Sequence, residues 1–242
     1  MLRDVGERSL RAAWEAESEA WTAWARTPGH DHQFWRFLLP AFLDLVPPPG
    51  RLTLDAGCGE GRVGRALTER GHRVVGVDGS PMLARLAGAG TALADLVALP
   101  VRDGAADLVV AHMVLQDVDD ITATVAELAR VLAPDGTLCV AVMHPVWAPL
   151  DQGLPYATEH RTADEVERDG LAMTFHSVHR PLAVYGAAFE TSGLAITALR
   201  EPVPTEDHVR DHPSMAPWVE TPPFLHLRAV RAIRTEAGRS SP

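Results

Sequence analysis

Apolar residues recur at helical spacing near the start of the chain. Leu10, Trp14, Trp21 and Trp24 stay in phase with a 3.6-residue turn, so residues 5–26 are expected to form an amphipathic helix. Thr27-Pro28-Gly29 breaks that pattern, and a second helical segment over about 31–46 stops at Pro47-Pro48-Pro49-Gly50. From 51 to 143 short apolar runs suited to buried strands alternate with helical patterns. That alternation is what a parallel, doubly wound α/β sheet requires. Residues 144–180 hold several His, Pro and Gly residues, keep neither period, and read as irregular. A helix over 181–192, a strand over 194–201 and a last strand over 224–230 complete the pattern, without internal repeats.

The junction after the first strand carries the chemistry. Leu52-Thr53-Leu54-Asp55 is an apolar run ending in an acid, and Ala56-Gly57-Cys58-Gly59-Glu60-Gly61-Arg62 follows, leading into a helical pattern. Residues without a Cβ let a backbone approach a ligand closely, and the next helix offers unpaired N–H groups at its start. A second buried strand, Arg73-Val74-Val75-Gly76-Val77-Asp78, also ends in an acid. Asp78 lies about 20 residues beyond the glycines, where a carboxylate can accept hydrogen bonds from both hydroxyls of a ribose. A nicotinamide fingerprint, G-x-G-x-x-G, needs a third glycine where this chain has Arg62, so that reading is the least favoured.

The pattern Asp-x-Gly-x-Gly-x-Gly, from Asp55 through Gly57 and Gly59 to Gly61, resembles the first motif of the class I S-adenosylmethionine-dependent methyltransferases. Val77-Asp78-Gly79-Ser80-Pro81-Met82-Leu83 is similar to the second motif, and Ala94-Asp95-Leu96 to the third. Asp107-Leu108-Val109-Val110 resembles the fourth strand, and the run from Glu127 to Gly136 the helix and turn before the fifth. The matches run from about 51 to 145 and point to the small-molecule branch often called methyltransferase type 11. The resemblance implies a Rossmann-like sheet of seven strands, the last antiparallel, with N-terminal helices and an insertion after the fifth strand. It also implies S-adenosyl-L-methionine as cofactor. Asp55, Gly57, Gly59, Gly61, Gly79, Leu96 and His112 would then contact the cofactor, Asp78 its ribose, and Met82 and Asp95 its adenine. One domain is expected over 1–242. Within it, 1–50 would be a helical cap, 51–143 the cofactor-binding core, 144–180 a substrate lid and 181–242 the rest of the sheet.

Composition narrows the partners. The formal charge is -10, with no basic run, which argues against a nucleic-acid substrate because Lys and Arg must neutralise phosphates. No apolar run reaches membrane-spanning length, and Cys58 and Cys139 make neither a disulfide framework nor a metal spacing. A cytoplasmic protein, monomer or homodimer, is expected. The chain contains no lysine and no asparagine, as in a chain from a G+C-rich, bacterial genome. No metal is expected, because His30-Asp31-His32 offers two imidazoles and reads as a polar turn.

Methyl transfer from a sulfonium depends mainly on alignment, which is worth roughly 7–11 kcal/mol, and needs a base only if the acceptor must lose a proton. His144, between a buried run and Pro145, is the candidate base; the other reading is a histidine that caps the strand end. Asp117 is a candidate for substrate contact or for capping the next helix. Trp147, Tyr156, His179 and Tyr185 are the candidate substrate residues of the lid region. The expected reaction is methyl transfer to a small metabolite. The rivals are a methyltransferase for a peptide or protein amino group and a non-catalytic cofactor-binding accessory protein.

Overall fold

The computed structural model describes residues 8–232. Positions 5–7 of the expected first helix, and both ends of the expected single domain, lie outside the described residues. Seven strands make one sheet: β1 (Thr53–Ala56), β2 (Val74–Asp78), β3 (Thr91–Leu93), β4 (Ala106–His112), β5 (Leu132–Met143), β8 (Leu194–Arg200) and β9 (Phe224–Arg231). Their spatial order is β3-β2-β1-β4-β5-β9-β8. The first five are parallel and β9 is antiparallel to both neighbours, as expected from the sequence.

Alternation along the central strands builds a core on each face of the sheet. Val109 and Ala111 of β4, with Leu138, Val140 and Val142 of β5, face α5 (Ile121–Val131) and α7 (Leu182–Thr191), meeting Leu128 and Phe189. Leu108, Val110, Cys139 and Ala141 face the other way. They pack against α3 (Arg62–Glu69), α2 (Leu39–Leu43) and a π-helical turn (Phe34–Leu38). That turn ends at Leu38, two residues before Pro40, which has no N–H to donate. The preceding Leu39 N–H bonds back to the Phe34 carbonyl, closing the wider π ring.

The N-terminal cap starts with α1 (Leu10–Arg26), whose N-cap Ser9 accepts from the Ala12 N–H. The helix α4 (Pro81–Ala87) is capped in the same way by Ser80, with Pro81 in its first turn.

Residues 144–180 are not irregular. They form α6 (Trp147–Gln152) and a two-stranded hairpin of β6 (His160–Arg168) and β7 (Leu171–His179), closed by Asp169-Gly170. Both turn residues have positive φ, the geometry that an Asp-Gly pair supplies in a tight hairpin. The strands are hard to recognise because this hairpin is only half-buried and rich in charge and histidine, so its alternation carries little apolar signal. Its apolar contact is with α1: Trp14, Trp21 and Trp24 converge on Phe175 with ring centroids 6.2–6.4 Å away. The chain continues through α8 (Glu206–Asp211) and α9 (Pro217–Glu220) into β9.

Candidate active site

In a parallel sheet the strand order reverses beside β1, and a crevice opens at the carboxyl ends there. A cavity of about 790 Å³ occupies that position. This is ample for a cofactor-sized ligand with a small second molecule, since pockets for such ligands span about 300–1,000 Å³.

The first half of the cavity belongs to the sheet edge. Gly57 and Gly59 line it with φ of 70° and 56°, a region costly for other residues. A Cβ on Gly57 would also sit 2.3 Å from the Val114 side chain. Asp78 lines the wall and is 8% exposed. One of its oxygens accepts from the Gly59 N–H and the other from the Ser80 N–H, each at 2.8 Å. These bonds hold the carboxylate still, and each oxygen keeps a second lone pair for a ligand hydroxyl. Burial raises the Asp78 carboxyl above the ordinary range, and the two backbone N–H bonds oppose that rise. Gly79, Asp95 and Leu96 also line the cavity. The helix α1 closes this edge, because Arg11 donates to the Gly79 carbonyl at 2.9 Å and lies 3.6 Å from Asp95.

Three expected cofactor residues do not reach the cavity. Met82 is turned toward α1, where its sulfur accepts from the Ser18 hydroxyl at 3.2 Å; Leu83 lines the wall instead. Gly61 is absent from the lining and starts α3 with a φ of 90°. Asp55 also lies away from the lining, fully buried, with Oδ2 unpartnered. Burial first, and then the nearby Asp78, push its carboxyl up to about 7.

The second half is assembled from distant segments. His112, Gln116 and Asp117 come from the end of β4 and the turn after it, His176 and His179 from β7, Tyr185 from α7, and Trp147 from α6. Burial holds Asp117 well above the usual carboxyl range and His112 well below the usual imidazole range, so His112 is neutral at neutral pH. Burial also pushes the Tyr185 phenol up to about 12. Four polar atoms of lining residues are buried without a hydrogen-bond partner: Gln33 Oε1, His112 Nε2, Gln116 Oε1 and His176 Nδ1. Such orphaned groups are rare in a native interior, and a polar ligand supplies what they lack.

His144 lines the cavity but has no free ring nitrogen. Its Nδ1 accepts from the Val146 N–H at 3.1 Å, so Nε2 carries the proton and donates to Glu201 at 2.9 Å. The geometry gives it the capping role rather than that of a base. Tyr156 is 42% exposed and outside the lining, where its hydroxyl accepts from the Leu182 N–H at 3.1 Å.

Two buried arginines carry more of the site than their sequence surroundings indicate. Arg62 pairs with Asp31, and its guanidinium stands 3.5 Å from the Phe34 ring centroid and 4.7 Å from that of Trp21. Arg180 is 2% exposed. It donates to the carbonyls of Leu115 at 3.1 Å and Val118 at 2.6 Å, and to Glu159 at 3.1 Å. No sequence signal marks Arg180, whereas a long basic side chain between His179 and Pro181 ordinarily lies on a surface.

Residues 54–140 match a family model described as a methyltransferase domain. This part of the chain is thus similar to a methyltransferase domain. The domain's relatives include a malonyl-[acyl-carrier protein] O-methyltransferase of Serratia marcescens, 36% identical over 100 residues, which are 39% of this chain and 39% of that protein. A nocamycin O-methyltransferase of Saccharothrix syringae is 38% identical over 120 residues, covering 44% of this chain and 43% of that one. The chain thus spans less than half the length of these two relatives. Among solved structures, an S-adenosylmethionine-dependent methyltransferase from Mesorhizobium loti superposes with a TM-score of 0.64 at 24% identity, over 79% of this chain and 96% of that one. At that identity the likeness speaks for the fold of the methyltransferase domain. No helix among the described residues is long and apolar enough to cross a membrane.

Proposed function

We propose that the protein transfers a methyl group from S-adenosyl-L-methionine to an oxygen of a small molecule, in the bacterial cytoplasm. The observation that carries this reading is one continuous cavity. It runs from the glycine loop and Asp78 to a set of unpartnered polar atoms under the hairpin. Bound there, S-adenosylmethionine would supply an electrophilic methyl on a good leaving group. Asp78 would accept from its ribose hydroxyls, Asp95 and Leu96 would border its base, and Gly57 and Gly59 would let its amino-acid end approach the backbone. The names of both relatives described above, each an O-methyltransferase, support oxygen as the acceptor atom.

An oxygen acceptor must lose its proton, and His176 is the group we assign to it. Its Nδ1 has no partner in the structure, while Nε2 lies 4.0 Å from Glu17 of α1. A carboxylate on the Nε2 side favours the tautomer that leaves Nδ1 free as an acceptor. The acids of the lining do not call for a cationic amine as substrate. Asp119 is paired with Arg161, Asp120 caps α5, and Asp164 accepts from Gln152 at 2.9 Å. Burial raises the Asp117 carboxyl well above the ordinary range, which disfavours its charged form.

Calorimetric titration tests the cofactor half. S-adenosylmethionine and its demethylated product should bind, and nicotinamide dinucleotides should not; binding of NAD alone would end the proposal. For the acceptor half, His176→Ala should lower turnover at least about 100-fold with cofactor affinity unchanged. Unaltered turnover in that variant would remove His176 from the reaction.

A further inference from the structure

Outside the cavity, three imidazoles that are far apart in sequence meet. His208 and His212 stand one turn apart, on α8 and at its C-cap, where the His212 N–H donates to the His208 carbonyl at 2.9 Å. His32 comes from the turn that leads into the π-helical segment, 176 residues earlier. Its Nδ1 lies 3.0 Å from His208 Nε2, and its ring stacks on His212 with centroids 3.7 Å apart. One ligating atom from each of the three falls within 4.8 Å of the others. His30, the other imidazole of the His30-Asp31-His32 run, is not part of the group: it faces the Arg168 carbonyl at 3.0 Å.

Among the described residues none of the three is paired with a carboxylate, the usual partner of a structural histidine. The nearby Asp211 is occupied by Arg36 at 3.0 Å. Three basic rings in contact, one of them only 4% exposed, repel one another if protonated. Tetrahedral zinc with imidazole ligands at about 2.0–2.1 Å places the nitrogens about 3.3–3.4 Å apart, and the stacked rings of His32 and His212 would turn out of their parallel arrangement to direct both lone pairs at one ion. An all-nitrogen set suits zinc and its borderline neighbours and not magnesium or calcium, which take oxygen.

We propose that His32, His208 and His212 bind a single divalent transition metal of the zinc class, with a fourth position left to solvent. The metal ties the N-terminal cap to α8. Its location gives it a structural use, because Asp31 and Gln33, on either side of His32, line the cavity, as do Trp218 and Phe224 downstream of α8. A bond between the two segments braces two walls of that cavity. It is independent of which reaction the cavity supports.

The test uses the full chain without a polyhistidine tag, stripped by chelator and titrated with zinc chloride, magnesium chloride and cobalt chloride. Zinc should bind in one equivalent and raise the melting temperature, magnesium should do neither, and cobalt should give the visible absorption of a low-coordinate nitrogen site. His32→Gln and His212→Gln, both at half-buried positions that tolerate change, should each weaken zinc at least about 100-fold, since even the outer partners of a metal site are worth 10–100-fold. His160→Gln, on the hairpin, should leave the affinity unchanged. Zinc affinity unaltered in both His32→Gln and His212→Gln, or no zinc binding by the parent chain, overturns the site.

Discussion

The two halves of the cavity are built by different means. The half that we assign to the cofactor comes from one contiguous stretch, in which the glycine loop, Asp78, Asp95 and Leu96 all lie at or just after strand ends. Its key contacts are backbone hydrogen bonds such as Gly59 and Ser80 to Asp78. The half that we assign to the acceptor collects β7, α6, α7 and the turn after β4, and is held together by side chains, above all Arg180. A loop that must bring backbone close to a ligand has few sequence solutions. A wall made by docking separate elements has many, so one half can be kept while the other is rebuilt for a different substrate.

Substitutions can separate the halves. The largest effect is expected for Asp78→Ala, which would remove the fixed acceptor that we assign to the two ribose hydroxyls. Charge-assisted bonds of this kind contribute roughly 1.5–3 kcal/mol each, so cofactor affinity should fall at least about 100-fold. Titration of the variant with the demethylated product checks this, and an unchanged Kd would dissociate Asp78 from the cofactor half.

Arg180→Met should act on the other side. It orphans the Leu115 and Val118 carbonyls and leaves Glu159 without its partner. Removing one member of a buried charged network costs about 3–5 kcal/mol, and half-exposed Glu159 places the loss near the lower end. Denaturant unfolding would measure it. Cofactor affinity should stay within a few-fold of the parent, and an equal loss there would mean that the halves are coupled.

Asp55 lies under the cofactor half, and its carboxyl is raised to about 7 by burial and by Asp78. The folded chain therefore holds a proton that the unfolded chain has lost between the ordinary carboxyl range and about pH 7. Across that window this group makes folding less favourable as pH rises, and above it the penalty is constant. Asp55→Asn removes the titration, so its stability relative to the parent should improve between about pH 4 and pH 7 and then level off. Parallel stability curves for parent and variant would exclude this origin.

The smallest change is expected for His144→Ala. It deletes the acceptor of the Val146 N–H and the donor to Glu201, so about 1 kcal/mol of stability should be lost, a typical value for a capping contact. Turnover should stay near the parent's value. A loss of 100-fold would return His144 to the chemistry.

Much of the frame is legible in the sequence because its signals are local. Strand runs, the turn glycines and an acid at the end of each of the first two strands follow from period and from backbone sterics, whereas the cap of α5 is Asp120 and not the expected Asp117. Those features place the sheet and the glycine loop. Met82 and Gly61 show the limit, since neighbours along a motif differ in which way they face, and only packing against α1 and Ala87 settled it. The hairpin carried a readable Asp169-Gly170 turn, but its polar strands obscured it. Arg180 beside Leu115, Glu17 beside His176, and His32 beside His208 had no local mark. Each joins residues more than 60 positions apart, and such a contact exists only once separate elements have docked. By itself the sequence determined the sheet and the loop that meets a nucleotide-like ligand, because both are set within a few residues by φ, ψ and hydrophobic period. The tertiary structure alone decided which unpartnered polar atoms line the cavity, which histidine there keeps a free nitrogen and which three histidines meet, because burial and hydrogen-bond partners belong to the packed chain.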